Sequence, residues 1–389
     1  MINEKQITRA FDQRDFSRGF LPNPDPLTRL PSAFDEWEDV AADLSKLALS
    51  RYIRPTVQAL PRFPTEALKS TREMERAVSL LSMMGNLYVF APDHPIATSL
   101  PKSLAVGWYE AGQRLMRLPT LTYASQVLNN WRRHDPNGPL NVSNLTMIQN
   151  FLGGMDEEWF AMIHVQIEAE SGRALQRLQP AQEAVVQDDV STLESCLIEM
   201  AETLNTMRSV LARMPERCEP DIYYHRVRPY MFGWYANPLL PDGMIYEGVD
   251  AYGGQPQQFR GETGAQSSVI YCFDAVLGVA HEYDEMRAYL MEMRYYMPTQ
   301  DRAFIEHLEM GPSVRDFVLT RAGSHPTLRD TYNTCLERLQ AFRQLHIEYA
   351  AMYVLKPGQK DSQGEVGTGG TPFTVYLKKH IRETNAHRI

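Results

Sequence analysis

Apolar residues recur at helical spacing along most of the chain. Spacings of three and four residues predict helices over about 65–87, 104–117, 120–133, 143–151, 156–177, 184–213, 266–297 and 328–355. Alternation of apolar and polar residues is nowhere long enough to indicate a sheet. The pattern therefore predicts an all-α protein.

Three segments interrupt this pattern. Residues 1–63 contain proline turns such as LPNPDP and LPRFP, which predict short helices joined by ordered loops. Residues 228–268 are crowded with glycine, proline and aromatic residues, and a loop of that length inside a compact domain tends to be functional. After Pro357 and Gly358 end the last helix, KDSQGEVGTGGT has little to bury, which predicts a mobile loop that could act as a lid.

The length of the chain favours two packed units, because 389 residues exceed the usual size of one hydrophobic core. We predict a smaller N-terminal helical subdomain with proline-rich loops over residues 1–110. A larger helical subdomain, which carries the candidate functional residues, is predicted over residues 111–389.

Charge and cysteine content narrow the partners and the compartment. A formal net charge of −9 argues against a nucleic-acid partner and favours a small molecule. The four cysteines are far apart and form no CxxC motif, so neither a disulfide framework nor a zinc site is indicated. The N-terminus lacks the pattern of a signal peptide, and no apolar run reaches 18 residues. We expect a cytoplasmic protein without a membrane span, monomeric or weakly oligomeric.

His346 is the first candidate for chemistry. It lies on the apolar face of the helix predicted over 328–355, where a neutral imidazole could ligate haem iron. The alternative is a hydrogen-bonded core histidine, which is commoner, and the chain has no CxxCH motif. Arg343, one turn earlier, needs a buried acid such as Asp274, either as part of such a site or as a purely structural ion pair.

Seven segments, taken in order, resemble the signatures of the indoleamine 2,3-dioxygenase family. They are LPTLTYASQVLNNWRRHDPNGPL, RPYMFGWYANPLLPDGMIYEGV, GAQSSVIYCFDAVLGV, MRYYMP, PSVRDFVL, LQAFRQLHIEYAAMYVL and GTGGTPF. The similarity covers roughly residues 100–379 and is looser over 1–99. It implies haem b bound between the two helical subdomains. It also implies a dioxygenase of tryptophan catabolism that inserts both atoms of O2 across the indole C2=C3 bond of L-tryptophan to give N-formylkynurenine.

The resemblance also assigns residues. His346 matches the proximal ligand of the haem iron, Arg343 and Asp274 match the polar pair behind it, and Arg228 matches the arginine that holds the substrate carboxylate. The further positions implied for the substrate are Tyr123, Gln126, Val127, Phe160, Tyr223, Tyr224, Gly264 and Thr368. The further positions implied at the edge of the cofactor are Gly261, Thr263, Ala265 and Ser267. For Arg228 the alternative is a surface ion pair, and for residues 359–366 it is a plain linker.

His164 departs from the mammalian pattern, in which a serine occupies this position. A distal imidazole there would resemble the related tryptophan 2,3-dioxygenases, where a histidine accepts a hydrogen bond from the indole N–H. The alternative is a core histidine, because its neighbours Met162, Ile163 and Val165 are apolar.

Two other functions remain open at the level of sequence. One is a haem enzyme that acts on another indole or a tryptophan derivative in secondary metabolism; Arg228 and the GTGGT segment favour a free amino acid instead. The other is a non-catalytic haem-binding or gas-sensing protein, against which the lack of a recognisable output domain counts.

Overall fold

The computed structural model describes residues 15–360, Thr368 and 374–389. Its helices are α1 (Asp35–Ala42), α2 (Leu44–Leu49), α3 (Ile53–Ala59), α4 (Thr71–Val89), α5 (Lys102–Arg114), α6 (Met155–Val186), α7 (Val190–Leu211), α8 (Pro220–Ile222), α9 (Val269–Leu277), α10 (Glu285–Met293), α11 (Thr299–Met310), α12 (Val314–Arg321), α13 (Pro326–Ala350), α14 (Lys356–Lys360) and α15 (Thr374–Ala386). Three short π-helical turns cover Ala124–Leu128, Tyr223–Val227 and Ala351–Leu355. The predicted all-α fold is confirmed.

Four short strands in the described part of the chain form two small sheets. Strands β1 (Ser99–Leu100) and β4 (Ile245–Tyr246) pair in parallel, while β2 (Trp131–Arg133) and β3 (Leu145–Met147) pair antiparallel. The parallel pair joins the segment after α4 to the glycine-rich and aromatic segment over 228–268, which is mostly irregular.

The long helices α6, α7 and α13 form the framework of the larger part of the chain. Helices α6 and α7 are joined by a three-residue turn, and the Asp189 side chain caps α7 by accepting a hydrogen bond from the Thr192 backbone N–H at 3.0 Å. Helix α13 packs against α7, where Cys335 Sγ donates to the Leu197 carbonyl at 3.0 Å. This framework carries His164 on α6 and His346 on α13.

Helix α4 ties the N-terminal part of the chain to the irregular segment. It is almost completely buried from Arg76 to Val89. The buried Asn86 amide donates to the carbonyls of Tyr230 and Phe232 at 2.8 and 3.0 Å. Because those residues directly follow Arg228, α4 fixes the turn that carries this arginine.

Several predicted helix bounds are wrong. The stretches 120–133 and 143–151 contain a π-helical turn and the β2–β3 hairpin, because HDPNGP reverses the chain and lets Trp131 pair with Met147. The predicted helix over 266–297 is broken at Gly278, whose φ of +66° suits glycine and ends α9.

The end of the last long helix also differs from the prediction. Pro357 and Gly358 do not end the helical structure, which continues through α14. Pro357 is the second residue after the π-helical turn Ala351–Leu355. The predicted mobile loop lies almost entirely outside the described residues.

One hydrophobic core cluster includes residues from both predicted subdomains, from Phe16 to Tyr353. The division at residue 110 therefore stays a prediction. Among the described helices, none is both long and apolar enough to cross a membrane.

Replacing Asn86 with alanine should destabilise the fold. The change removes two buried hydrogen bonds and leaves two carbonyls unpaired, so the free energy of unfolding should fall by about 2–4 kcal/mol. Urea denaturation of the purified protein measures this loss. Asn205→Ala, at an exposed position of α7, is the matched control. A loss no larger than that of the control would show that Asn86 does not hold the Arg228 turn.

Candidate active site

A cavity of about 330 Å³ lies within the larger part of the chain. Its wall is formed by α6, α7, α9, α10, α13, the turn that starts at Tyr223, and the loop over 262–267. Most of the lining surface is apolar, and a few polar side chains converge on it. Size and lining are those of a small-molecule site.

His346 lines the cavity from α13. Its imidazole presents accessible surface to the cavity, while protein packs densely around it. Burial, together with the nearby His164, lowers the pKa of His346 to about 4. The imidazole is therefore neutral near pH 7, which is the form that binds a metal.

The chemistry of the donor set fits haem. Within the described part of the chain, no group of three or more His, Cys, Asp or Glu side chains could hold a metal ion by itself. Haem iron needs only one protein ligand on its proximal side, since the macrocycle supplies four nitrogens. A single neutral imidazole in an apolar cavity meets that need.

A polar network lies beside His346. Arg343 Nη2 donates to Asp274 Oδ2 at 2.5 Å, and Nη1 donates to Thr384 on α15. His281 Nε2 is 3.5 Å from the same Asp274 oxygen. Burial acts to raise the pKa of Asp274, but Arg343 and His281 together hold it below its usual value. The network joins α9, α13 and α15 behind the imidazole.

His164 lines the same cavity from α6. Its Nδ1 lies 2.8 Å from the Phe160 carbonyl oxygen, which can only accept, so Nδ1 carries the proton. Burial lowers the pKa of His164, so the imidazole stays neutral and Nε2 is an unprotonated acceptor. The Phe160 ring lies 4.6 Å from the imidazole, centroid to centroid, and the Tyr123 ring 6.3 Å from it.

Arg228 begins the turn Arg228–Met231 and is 5% exposed. Its guanidinium carbon lies 5.1 Å from the Tyr224 ring centroid and 4.7 Å from that of Phe232. Burial lowers the pKa of Arg228, against the opposing effects of Tyr223 and Tyr224. Two aromatic rings therefore hold a cation at the cavity wall.

The loop over 262–267 crosses the cavity because two glycines let its backbone approach closely. A Cβ on Gly261 would lie 2.3 Å from the Met231 carbonyl oxygen, and one on Gly233 would lie 2.1 Å from the Gly261 nitrogen. The Glu262 backbone N–H donates to Met231 at 3.1 Å, and Thr368 Oγ1 donates to the Glu262 carbonyl at 2.6 Å. Thr368 thus closes onto this loop.

Most of the residues singled out from the sequence meet at this cavity. They are Tyr123, Phe160, His164, Tyr223, Arg228, Thr263, Gly264, Ala265, Ser267, Asp274, Arg343, His346 and Thr368. Gln126, Val127, Tyr224 and Gly261 do not border it. Gln126 and Val127 are buried in the π-helical turn after Tyr123, Tyr224 contacts Arg228, and Gly261 supports the loop from behind.

Two acidic residues of the site were missed by the sequence reasoning. Glu168 lies one helical turn after His164, and this i, i+4 spacing could have indicated it. It accepts a hydrogen bond from Ser267 Oγ at 2.7 Å and interacts with Tyr123, and burial raises the pKa of Glu168 to about 7. Glu262 lines the cavity, and its charge among the small residues of RGETG was the available signal.

The family comparison decides which family the chain belongs to. The family model described as "Indoleamine 2,3-dioxygenase" matches residues 12–387. The chain belongs to the indoleamine 2,3-dioxygenase family. The predicted resemblance is therefore confirmed over nearly the whole chain.

Individual relatives agree. Indoleamine 2,3-dioxygenase 1 of Rattus norvegicus is 34% identical over 375 residues, which is 93% of this chain and 91% of the rat protein. Indoleamine 2,3-dioxygenase 2 of Homo sapiens is 32% identical, over 95% of this chain and 93% of its own. The indoleamine 2,3-dioxygenase of Saccharomyces cerevisiae is 31% identical, over 95% and 91%. Indoleamine 2,3-dioxygenases are haem-dependent enzymes that use O2 on tryptophan-like indoles, and this chain is a dioxygenase of that kind.

Glu168 should make the stability of the protein depend on pH. Its pKa is about 7 in the folded protein against 4.5 ordinarily, so the folded state binds the proton more tightly than the unfolded state. Its contribution to stability is therefore largest below about pH 4.5 and is lost as the pH rises toward about 7. Relative to Glu168→Gln, the wild-type protein should lose roughly 1–3 kcal/mol of unfolding free energy between about pH 5 and pH 7.

Urea denaturation of both proteins across this pH range measures the difference. Glu36→Gln, at an exposed position of α1, provides the control for the same chemical change. Parallel stability curves for wild type and Glu168→Gln would contradict the assignment.

Proposed function

We propose that this chain binds haem b through His346 and inserts both atoms of O2 across the indole C2=C3 bond of L-tryptophan, giving N-formylkynurenine. One observation carries the proposal: the accessible, neutral His346 imidazole and the buried Arg228 guanidinium line the same apolar cavity. A cofactor and a carboxylate-bearing indole can therefore be bound next to each other.

On this proposal His346 is the proximal ligand, and the Arg343–Asp274 pair supports the helix behind it. Thr263, Gly264, Ala265 and Ser267 would border the edge of the cofactor. On its own, O2 reacts slowly with closed-shell organic molecules. When bound, ferrous haem would supply the binding and activation of O2 that removes this restriction.

Arg228 would hold the substrate carboxylate. Its planar guanidinium can donate two parallel hydrogen bonds to the two carboxylate oxygens. The rings of Tyr224 and Phe232 fix its orientation, so little side-chain freedom is lost on binding. In a cavity with a mostly apolar lining this contact is stronger than the same contact in water.

Phe160, Tyr223 and His164 would orient the indole. The rings of Phe160 and Tyr223 lie 4.7 Å apart, centroid to centroid, and provide aromatic surface beside His164. Because His164 Nδ1 is bonded to its own helix, Nε2 can accept the indole N–H and fix the ring. Thr368 would help to exclude water, since it lines the cavity and bonds to the opposite loop.

The reaction itself is the first test. The haem-loaded, reduced protein supplied with L-tryptophan and isotopically labelled O2 should form N-formylkynurenine that carries both labelled oxygen atoms. Arg228→Ala should lower kcat/KM roughly 30- to 1000-fold, because a charge-assisted bidentate contact is lost. This corresponds to about 2–4 kcal/mol less stabilisation of the transition state. Mass spectrometry of the product and steady-state kinetics measure these outcomes.

His346→Ala provides the control for the cofactor and should lose the haem absorption band on gel filtration. Haem binding without any product from L-tryptophan would favour another indole substrate or a non-catalytic haem protein. Near-normal kcat/KM in Arg228→Ala would exclude the role proposed for that residue.

His164 should select substrates that carry an indole N–H. The benzofuran analogue of tryptophan has oxygen in place of the N–H and is of similar size. With this analogue bound, His164 Nε2 has no donor to accept from. The preference for tryptophan should be about 5- to 100-fold in the dissociation constant, measured by calorimetric titration of the haem-loaded protein without O2 and corresponding to about 1–3 kcal/mol. It should be largely abolished in His164→Ala.

Ile167→Ala is the matched control, because Ile167 lines the cavity from the same helix but offers no acceptor. It should retain the preference. If His164→Ala retained it as well, His164 would be a core histidine without a part in recognition.

A further inference from the structure

Glu262 is a carboxylate in the cavity wall whose charge the proposed reaction does not use. It is 4% exposed and lines the cavity. Among the described residues, none forms a hydrogen bond or an ion pair with its side chain, whereas its backbone bonds to Met231 and Thr368. A buried carboxylate without a partner is costly, and burial raises the pKa of Glu262 to about 8.

Backbone contacts fix the position of Glu262. Gly261 and Gly233 bring the two chain segments into contact, and the Glu262 N–H donates to Met231, three residues after Arg228. The same chain crossing therefore carries a guanidinium on one segment and a carboxyl group on the other, and both side chains line one cavity.

Tyr223 lines the same cavity as Arg228 and Glu262. Burial raises the pKa of Tyr223, Arg228 acts to lower it and Glu262 acts to raise it further. The two groups therefore act on the Tyr223 hydroxyl in opposite directions. Glu262 also acts on the hydroxyls of Tyr123 and Tyr289, and the nearby Arg260 guanidinium already donates to Glu292 at 2.7 Å.

We propose that Glu262 binds the α-ammonium group of the substrate while Arg228 binds its carboxylate, so that the pair selects a free α-amino acid. This inference rests on the proposed function, because it assumes an indole amino acid in this cavity. A zwitterion brings one charge of each sign, which matches one guanidinium and one carboxylate. An indole acid without the amine leaves Glu262 unpaired.

The test compares two ligands that differ in the ammonium group, L-tryptophan and indole-3-propionate. Dissociation constants are measured by calorimetric titration of the haem-loaded protein without O2. Glu262→Gln keeps the shape of the side chain and removes its charge. It should raise the dissociation constant of L-tryptophan about 10- to 100-fold. Binding of indole-3-propionate should stay the same or tighten. Glu262→Asp, which keeps the charge, should retain more of the preference for tryptophan.

Glu36→Gln is the control and should leave both constants unchanged. An equal loss of affinity for both ligands would overturn the proposal, because Glu262 would then support the fold. If the haem absorption band shifted along with that loss, Glu262 would support the cofactor instead, which would also overturn it. Unchanged binding of both ligands would overturn it too. Failure of the proposed reaction is separately visible, since wild type would then give no N-formylkynurenine whatever the selectivity of the variants.

Discussion

The close approach of two chain segments at Gly233 and Gly261 is the constraint on which the site depends. Any side chain at either glycine would collide with backbone, so the two segments can meet only with hydrogen there. The contact fixes the Arg228 turn against the loop over 262–267. Asn86 on α4 secures the same turn from the opposite side through two carbonyls. Cavity-lining residues on irregular backbone are thus held in place by backbone contacts, as residues on helices are.

The three π-helical turns add a second constraint. One directly follows Tyr123, one begins at Tyr223, and one includes Tyr353, and all three tyrosines line the cavity. A π turn inserts one extra residue and so rotates the side chains beyond it relative to an α-helix. The aromatic wall of the cavity is therefore built where the regular helical repeat is interrupted.

The sequence predicts the long helices and the shared helix face of His346 and Arg343 well, because both depend on local periodicity. The role of His346 as a haem ligand came from the family resemblance and stays a proposal. His346 and Arg343 share a face of one helix, and that face is apolar whatever the rest of the chain does. The β2–β3 hairpin was missed because its short apolar runs at 120–133 and 143–151 fit a helical period equally well. Glu262 was missed for a different reason. Its local signal is only a charge among the small residues of RGETG, and its place in the cavity wall arises from a contact between segments about thirty residues apart.

Burial gives the two histidines different capacities from a single cause. Desolvation disfavours the charged form, so the pKa of both His164 and His346 is lowered and each imidazole is neutral. A neutral imidazole has one donor and one acceptor nitrogen, and the role of each ring depends on its surroundings. His164 Nδ1 donates its proton to the Phe160 carbonyl of its own helix. The unprotonated Nε2 is left as a hydrogen-bond acceptor. His346 lies next to the Arg343–Asp274 pair, whose opposite charges balance each other and so do not draw a proton onto the ring. The same apolar surroundings therefore set both imidazoles in the neutral form that metal ligation and hydrogen-bond acceptance require.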